Sequence, residues 1–163
     1  MKFLLVAINA KYIHSNPAIY SLRAYAGEDL QQHVELAEYT INQYMSEILA
    51  DIYKRKPEAI GFSCYIWNWR LVQELLQELP KLLPGVPIWL GGPEVSFDCE
   101  KILRQYSDVA GVMVGEGEAT FKELLEYTVQ AWNLAASGEK ICEESFCGES
   151  PKKRICITAD YRH

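Results

Sequence analysis

The chain alternates between two kinds of hydrophobic periodicity, and this alternation is its strongest constraint on the fold. Five short apolar runs have the length and composition of buried or half-buried strands. Each is followed by a segment in which apolar residues recur at helical spacing. The predicted strands are residues 3–8, 34–41, 59–66, 87–90 and 109–114. Five successive β-α units predict a parallel sheet with helices on both faces.

Capping residues indicate where several helices begin. Asn16 followed by Pro17 is typical of a helix N-terminus. Asn42 and Asn68 are predicted to cap the second and third helices in the same way. The last two helices are predicted over about 99–106 and 119–132.

The order of the strands follows from their polarity. The second strand contains Glu35 and Glu38, which favours the edge of a sheet, whereas the other four are nearly apolar. We therefore predict an α/β fold of the flavodoxin-like (Rossmann-like) type, a three-layer sandwich with a five-stranded parallel sheet in the order 2-1-3-4-5. This domain is assigned to residues 1–134. Residues 135–163 are interpreted as a linker or the start of a following domain, although Ile155 to Ala159 has the composition of a short strand.

Composition and charge exclude several classes of protein. The 163 residues are 49% hydrophobic and 23% charged, which is typical of a globular domain and excludes intrinsic disorder. The net charge is −6, and the sequence shows no excess of basic residues that would indicate nucleic-acid binding. No apolar run is long enough to span a bilayer, so no membrane association is predicted. We expect a cytoplasmic protein.

Small residues occupy the carboxyl ends of three predicted strands. In a parallel sheet of this type, ligands bind at that edge, near the switch point between the first and third strands. Glycine there allows a bulky ligand to approach the backbone, although any turn out of a strand also uses glycine. Together these ends favour a large ligand along the edge. The residues are Ser63 and Tyr65, then Gly91, Gly92 and Pro93, then Gly115, Glu116 and Gly117.

The common ligands of this fold do not match these strand ends. The loop after the first strand contains Lys11, Tyr12 and His14 rather than the Ser/Thr/Gly-rich sequence of a flavin-phosphate site. Asn9 and Ser63 stand where a phospho-receiver needs acidic residues. The sequence contains no G-x-G-x-x-G fingerprint and no P-loop.

Four segments resemble a known family. They read His-Ser-Asn-Pro, Ile-Gly-Phe-Ser-Cys-Tyr, Trp-Leu-Gly-Gly-Pro-Glu-Val-Ser and Val-Gly-Glu-Gly-Glu-Ala-Thr-Phe. Their order is similar to that in the amino-terminal cobalamin-binding domain of cobalamin-dependent radical S-adenosylmethionine enzymes. This group includes anaerobic magnesium-protoporphyrin IX monomethyl ester cyclases and several methyltransferases. The resemblance covers about residues 1–132.

The resemblance implies cobalamin as the cofactor and a role for each strand end. The corrin ring would lie over the carboxyl edge of the sheet, with its nucleotide tail in a groove beside the third to fifth strands. Ser63 matches the serine that bonds the tail, and Gly91 and Gly92 match the pair that leaves room for it. Gly115 and Gly117 match the last glycines. Tyr65, Pro93, Glu116 and Tyr12 complete the implied cofactor-binding set.

The loop after the first strand departs from the best-known cobalamin motif. That motif is D-x-H-x-x-G, whose histidine ligates cobalt and whose aspartate orients the ring. Here the matching residues are Tyr12, His14 and Pro17, so the aspartate and glycine are missing. His14 is therefore either a cobalt ligand or a loop histidine that lines the site or caps the first helix.

The radical chemistry of such enzymes needs C-x-x-x-C-x-x-C, which holds an iron-sulfur cluster that binds S-adenosylmethionine. Cys142, Cys147 and Cys156 do not have this spacing. We therefore expect the cluster and S-adenosylmethionine on a radical domain of the same or another chain, and we expect a small-molecule substrate. The isolated chain is predicted not to be catalytic.

Two other functions remain open. The missing aspartate and glycine also fit a cofactor-free regulatory or interaction module of the same fold. A small-molecule enzyme using Ser63, Glu94 or Glu116 is the third hypothesis, although no nucleophile-base pair in the sequence supports it. Trp67 and Trp69 would either stack on a ligand at the edge or pack against the protein.

Overall fold

The structure is a computed structural model, and it describes residues 1–10, 15–137 and 155–158. A parallel sheet lies between two layers of helices. Its strands are β1 (Phe3–Asn9), β2 (Val34–Thr40), β3 (Ala59–Ser63), β4 (Ile88–Gly91), β5 (Val109–Val114) and β6 (Ile155–Thr158). The helices are α1 (Pro17–Ala26), α2 (Glu28–Gln31), α3 (Met45–Arg55), α4 (Trp69–Leu82), α5 (Pro93–Ser96), α6 (Cys99–Gln105) and α7 (Gly117–Ser137).

The strand order is β2-β1-β3-β4-β5-β6, and every neighbouring pair is parallel. The predicted order of the first five strands is confirmed, with β2 at an edge. A sixth strand pairs with β5, so β5 is an interior strand. This strand lies in the segment interpreted as a linker or the start of another domain; the domain boundary itself stays a prediction.

Strand β1 runs through the middle of both hydrophobic cores. Leu4, Val6 and Ile8 face α3, α4 and α6, whereas Phe3 and Leu5 face α1 and α7. All five side chains are almost completely buried, which explains why the strand is apolar from Phe3 to Ile8. The second face of the sheet, covered by α1 and α7, is called the α1–α7 face below.

Two of the three predicted asparagine caps differ from prediction. Asn16 does cap α1, since its Oδ1 accepts a hydrogen bond from the Ala18 N–H at 3.0 Å. The prediction for Asn42 is wrong, because α3 begins at Met45. A local turn intervenes there, in which Gln43 bonds to both the N–H and the carbonyl of Thr40. Asn68 precedes α4, but its side chain does not cap the helix.

The side chain of Asn68 instead joins two strands. Its Nδ2 donates to the carbonyl of Ile8 in β1 at 3.0 Å and to that of Ser63 in β3 at 2.9 Å. Its Oδ1 accepts from the Tyr65 N–H at 2.9 Å. The residue is fully buried. One amide therefore holds together the carboxyl ends of β1 and β3 and the loop that follows β3.

None of the helices in the described part of the chain combines the length and the hydrophobicity that crossing a bilayer requires.

Replacement of Asn68 by Ala is expected to lower the free energy of unfolding by about 3 kcal/mol, because buried polar groups lose their partners. Urea unfolding followed by far-ultraviolet circular dichroism measures the change. Asn42→Ala is the matched control, and its effect should stay within about 0.5 kcal/mol because Asn42 is exposed. Equal losses in the two variants would contradict the role assigned to Asn68.

Candidate functional site

The carboxyl ends of β3, β4 and β5 are left uncovered on the α1–α7 face. Strand β3 leads into α4, and β4 leads through the short α5 into α6; α4 and α6 pack on the opposite face. Helices α1 and α7, which contact each other, cover the α1–α7 face beside these ends. The uncovered strand ends form an open groove of about 400 Å³.

The floor of the groove is a row of small side chains. Ser63 in β3 pairs with Gly91 in β4, and Gly91 pairs with Met113 in β5. One row deeper, Gly61 pairs with Leu5. Because side chains on one face alternate every two residues, these five positions all point to the α1–α7 face. Gly91 leaves the floor open, whereas the space beside Gly61 is taken by the side chains of Leu5 and Phe3.

The walls come from three helices. Helix α1 contributes Ala18, Ile19 and Leu22, which form an apolar side. The segment after β4 contributes Pro93, Ser96 and Phe97, and Phe97 is almost fully exposed at the opening. The start of α7 contributes Gly117 and Glu118.

Most of the predicted site residues lie together in this groove. Ser63, Tyr65, Gly91, Gly92, Pro93, Gly115 and Gly117 all line it. Glu116 is exposed beside it and is not part of the lining. Tyr12 and His14 lie outside the described residues. The binding role of every member of this set stays a prediction.

Sequence reasoning missed the apolar part of the site. Leu5 and Met113 were assigned only to strands. Because side chains alternate between the two faces of a sheet, the register of the strands places both on the face of Ser63 and Gly91. Ile19 and Leu22 belong to the apolar stripe of α1, and nothing in that stripe distinguishes core residues from groove residues. Their position depends on how α1 is rotated above the sheet.

Gly91 and Gly92 are required for different reasons. A Cβ atom at Gly91 would meet Met113 at 3.4 Å, an ordinary contact, and would project into the groove floor. A Cβ atom at Gly92 would collide with the carbonyl oxygen of Cys64. Gly92 also has a φ of +109°, a conformation that is unfavourable for residues with a side chain. Gly92 therefore serves the packing of β4 against β3, whereas Gly91 keeps the groove open.

We expect Gly92→Ala to lower the free energy of unfolding by about 3 kcal/mol, through backbone strain and collision with Cys64. Gly91→Ala should change it by no more than about 1 kcal/mol. Thermal unfolding of the two variants provides the comparison. If Gly92→Ala is as stable as Gly91→Ala, the close approach of the two strands is misplaced.

Ser63 offers a hydroxyl group to the groove. Its Oγ receives a hydrogen bond from Asn16 Nδ2 at 3.5 Å, which is a long and weak contact. The Asn16 amide can only donate through this nitrogen, so the hydroxyl hydrogen of Ser63 is available to a ligand. This geometry makes Ser63 a hydrogen-bond donor toward the groove.

The aromatic residues after β3 form a ledge at the edge of the sheet. Tyr65 and Trp67 stack with ring centroids 4.4 Å apart and planes inclined by 8°. The Trp67 Nε1–H donates to the carbonyl of Ile8 at 3.3 Å, while nearly half of the side chain remains exposed. Trp69 packs against the core and meets Tyr106 edge to face. Of the two tryptophans, Trp67 is the one that a ligand at the edge can reach.

Glu38 of β2 holds both ends of the loop between β1 and α1. Its carboxylate accepts from the Asn16 N–H at 2.8 Å, the Tyr20 hydroxyl at 2.8 Å and the Asn9 side chain at 3.2 Å. Burial raises the pKa of Glu38, but these three donors together outweigh burial and leave the pKa below its usual range. The ionised carboxylate thus fixes the start of α1, and with it the wall of the groove.

Glu38→Gln should lower the free energy of unfolding by about 1 kcal/mol at pH 7. Because the folded chain has the lower pKa, the carboxylate stabilises it fully above the ordinary value of 4.5. This contribution is lost as the pH falls through the folded pKa, so the gap between variant and wild type should narrow as the pH is lowered below 4.5. Urea unfolding across this range measures it; a gap that stays constant would contradict the assignment.

Two other ionisable groups near the groove have structural roles. Glu118, in the first turn of α7, accepts a hydrogen bond from the Ser21 hydroxyl at 2.9 Å and so joins α7 to α1. Cys64 is fully buried, and burial raises the pKa of its thiol far above the usual value. Within the described ranges, no three His, Cys, Asp or Glu side chains are grouped so that they could hold a metal ion.

Curated relatives match parts of the chain. The 2-(S-pantetheinyl)-carbapenam-3-carboxylate methyltransferase of Streptantibioticus cattleyicolor is 31% identical over 103 residues, which are 63% of this chain and 14% of that protein. The cobalamin-dependent radical SAM methyltransferase TokK of Streptomyces tokunonensis is 31% identical over 70 residues, 43% of this chain and 10% of that protein. The chain thus spans a small fraction of the length of these relatives.

Solved structures share the fold at low sequence identity. The cobalamin-dependent S-adenosylmethionine radical enzyme OxsB, with aqua-cobalamin and S-adenosylmethionine bound, has a TM-score of 0.62 at 18% identity. The match covers 78% of this chain and 19% of OxsB. A cobalamin-binding protein from Desulfitobacterium hafniense DCB-2 has a TM-score of 0.54 at 15% identity, covering 80% of this chain and 58% of that chain.

A family model gives the assignment. The model of the B12 binding domain matches residues 4–125, which include all five strands of the predicted sheet and the groove. Since this match covers most of the chain, the protein belongs to the B12-binding domain family.

Proposed function

We propose that this chain binds cobalamin, with the nucleotide tail in the groove and the corrin ring over the carboxyl edge of the sheet. The observation that carries the proposal is the open groove whose floor lacks a side chain at Gly91. Its volume of about 400 Å³ lies within the usual range of small-molecule sites. That space suits the narrow tail of the cofactor and leaves the wide corrin ring outside.

The residues of the groove fit such a tail chemically. Leu5, Met113 and the α1 wall offer apolar contact to an aromatic base, and Ser63 offers one hydrogen-bond donor. Tyr65 and Trp67 form an aromatic ledge where the corrin would lie. Tyr12 and His14 belong to the loop whose two ends Glu38 holds near this edge, and His14 as a cobalt ligand stays part of the proposal.

When bound, cobalamin supplies a cobalt ion that can exchange a methyl group or an electron. The chain's own residues bind and orient the cofactor and shield its tail from water. We infer that a radical S-adenosylmethionine domain, in the same or another chain, supplies the iron-sulfur cluster, S-adenosylmethionine and the substrate site. Methyl transfer or oxidative cyclisation would then take place between the two domains. The match to segments of much longer methyltransferases supports this arrangement.

Binding can be tested with the isolated chain. Incubation with hydroxocobalamin followed by desalting should leave a coloured protein fraction whose visible spectrum shows the bound cofactor. A colourless fraction would favour the cofactor-free module instead.

Gly91→Leu should reduce cobalamin binding by more than about tenfold, because the new side chain fills the floor of the groove. Titration followed by visible absorbance measures the affinity. Ala50→Leu, which places the same final side chain on the exposed side of α3, should bind like wild type. Unchanged affinity in a folded Gly91→Leu protein would show that the tail lies elsewhere.

A further inference from the structure

We propose that the groove selects corrinoids whose lower base is apolar, such as dimethylbenzimidazole, over corrinoids with a polar purine base. This inference rests on the proposed function, since it assumes that the tail enters the groove. It concerns the choice among corrinoids, which the family assignment leaves open.

The inner surface of the groove offers few hydrogen bonds. Its floor and its α1 wall are formed by Leu5, Gly61, Met113, Ile19 and Leu22, and Ser63 is the hydroxyl residue among them. The backbone groups of the floor are engaged in the sheet, where β3 pairs with both β1 and β4. A base lying here therefore meets hydrocarbon on most of its surface.

Each of the other polar side chains of the lining already has a partner within the protein. The Ser96 hydroxyl donates to the carbonyl of Gly92 at 2.8 Å. Glu118 accepts from Ser21 at 2.9 Å. Tyr65 lies beyond the end of β3, with its ring stacked on Trp67. Ser63 is thus the polar side chain that a buried base would meet.

One hydroxyl donor suits a base with one available ring nitrogen. Dimethylbenzimidazole has one such nitrogen. Its methyl groups give up no hydrogen bonds with water when they contact Leu and Met side chains. Adenine carries an exocyclic amine and further ring nitrogens. These groups would lose their hydrogen bonds to water without gaining hydrogen bonds to the protein. A buried polar group left unpaired weakens binding by about 10- to 100-fold.

The test compares three ligands on the full chain. Visible-absorbance titrations use hydroxocobalamin, the corrinoid in which adenine replaces dimethylbenzimidazole, and cobinamide, which lacks the nucleotide. Hydroxocobalamin should bind at least about tenfold more tightly than each of the other two.

Two variants test whether the apolar lining of the groove causes the preference for the apolar base. Leu22→Gln places an amide on the α1 wall at a partly exposed position, and Met113→Gln places one on the floor. Either folded variant should reduce the ratio of the two affinities at least about threefold, because the amide gives adenine a partner. Leu82→Gln makes the same chemical change on an exposed side chain of α4, outside the groove, and should keep the wild-type ratio.

The outcomes separate the two proposals. Tight binding of cobalamin with equal binding of the adenine form overturns the selectivity while the proposed function stands. Cobinamide binding as tightly as cobalamin overturns it too, since the tail would then contribute nothing. A preference that persists in both Gln variants removes its assignment to the groove. Failure of all three ligands to bind would overturn the proposed function itself.

Discussion

The bridge made by Asn68 is the interaction on which the groove depends. The chain leaves β1 toward the α1–α7 face and leaves β3 toward the opposite face, so the two strand ends diverge. A single buried amide bonds to the carbonyls of Ile8 and Ser63 and to the following loop. It thereby keeps the ends of both strands at one level, where Ser63 takes part in the groove floor. The divergence opens a crevice at the switch point, as expected for this type of sheet.

The rest of the groove follows from how α1 is set above the sheet. Asn16 caps the helix and touches Ser63, while Glu38 binds the N–H of Asn16 and the side chains of Asn9 and Tyr20. These polar contacts determine which part of the apolar stripe of α1 faces the groove. Ile19 is fully buried there, and Leu22 remains partly accessible. A small polar network outside the groove thus controls an apolar surface inside it.

Much of this site could be predicted because the sequence shows where the strands end. An apolar run that stops at Gly91-Gly92 or at Gly115 marks both the end of a strand and the edge where parallel strands meet. The helical contribution could not be predicted in the same way. The rotation of α1 depends on Glu38, 22 residues beyond Asn16, and periodicity carries no information about such a contact. The failed cap at Asn42 has a similar cause, since Gln43 closes a turn with Thr40 before α3 can begin.

The structure adds what no pattern of residue types contained, namely that two adjacent glycines serve opposite purposes. The space beside Gly92 is filled by the backbone of Cys64, while the space beside Gly91 opens toward the groove. The fold constrains the first position, whereas the cofactor that we propose for the groove would constrain the second. In lineages that lost the cofactor, position 91 would then be free to acquire side chains while position 92 is retained. Homologous sequences would therefore record the loss of the cofactor at position 91 alone.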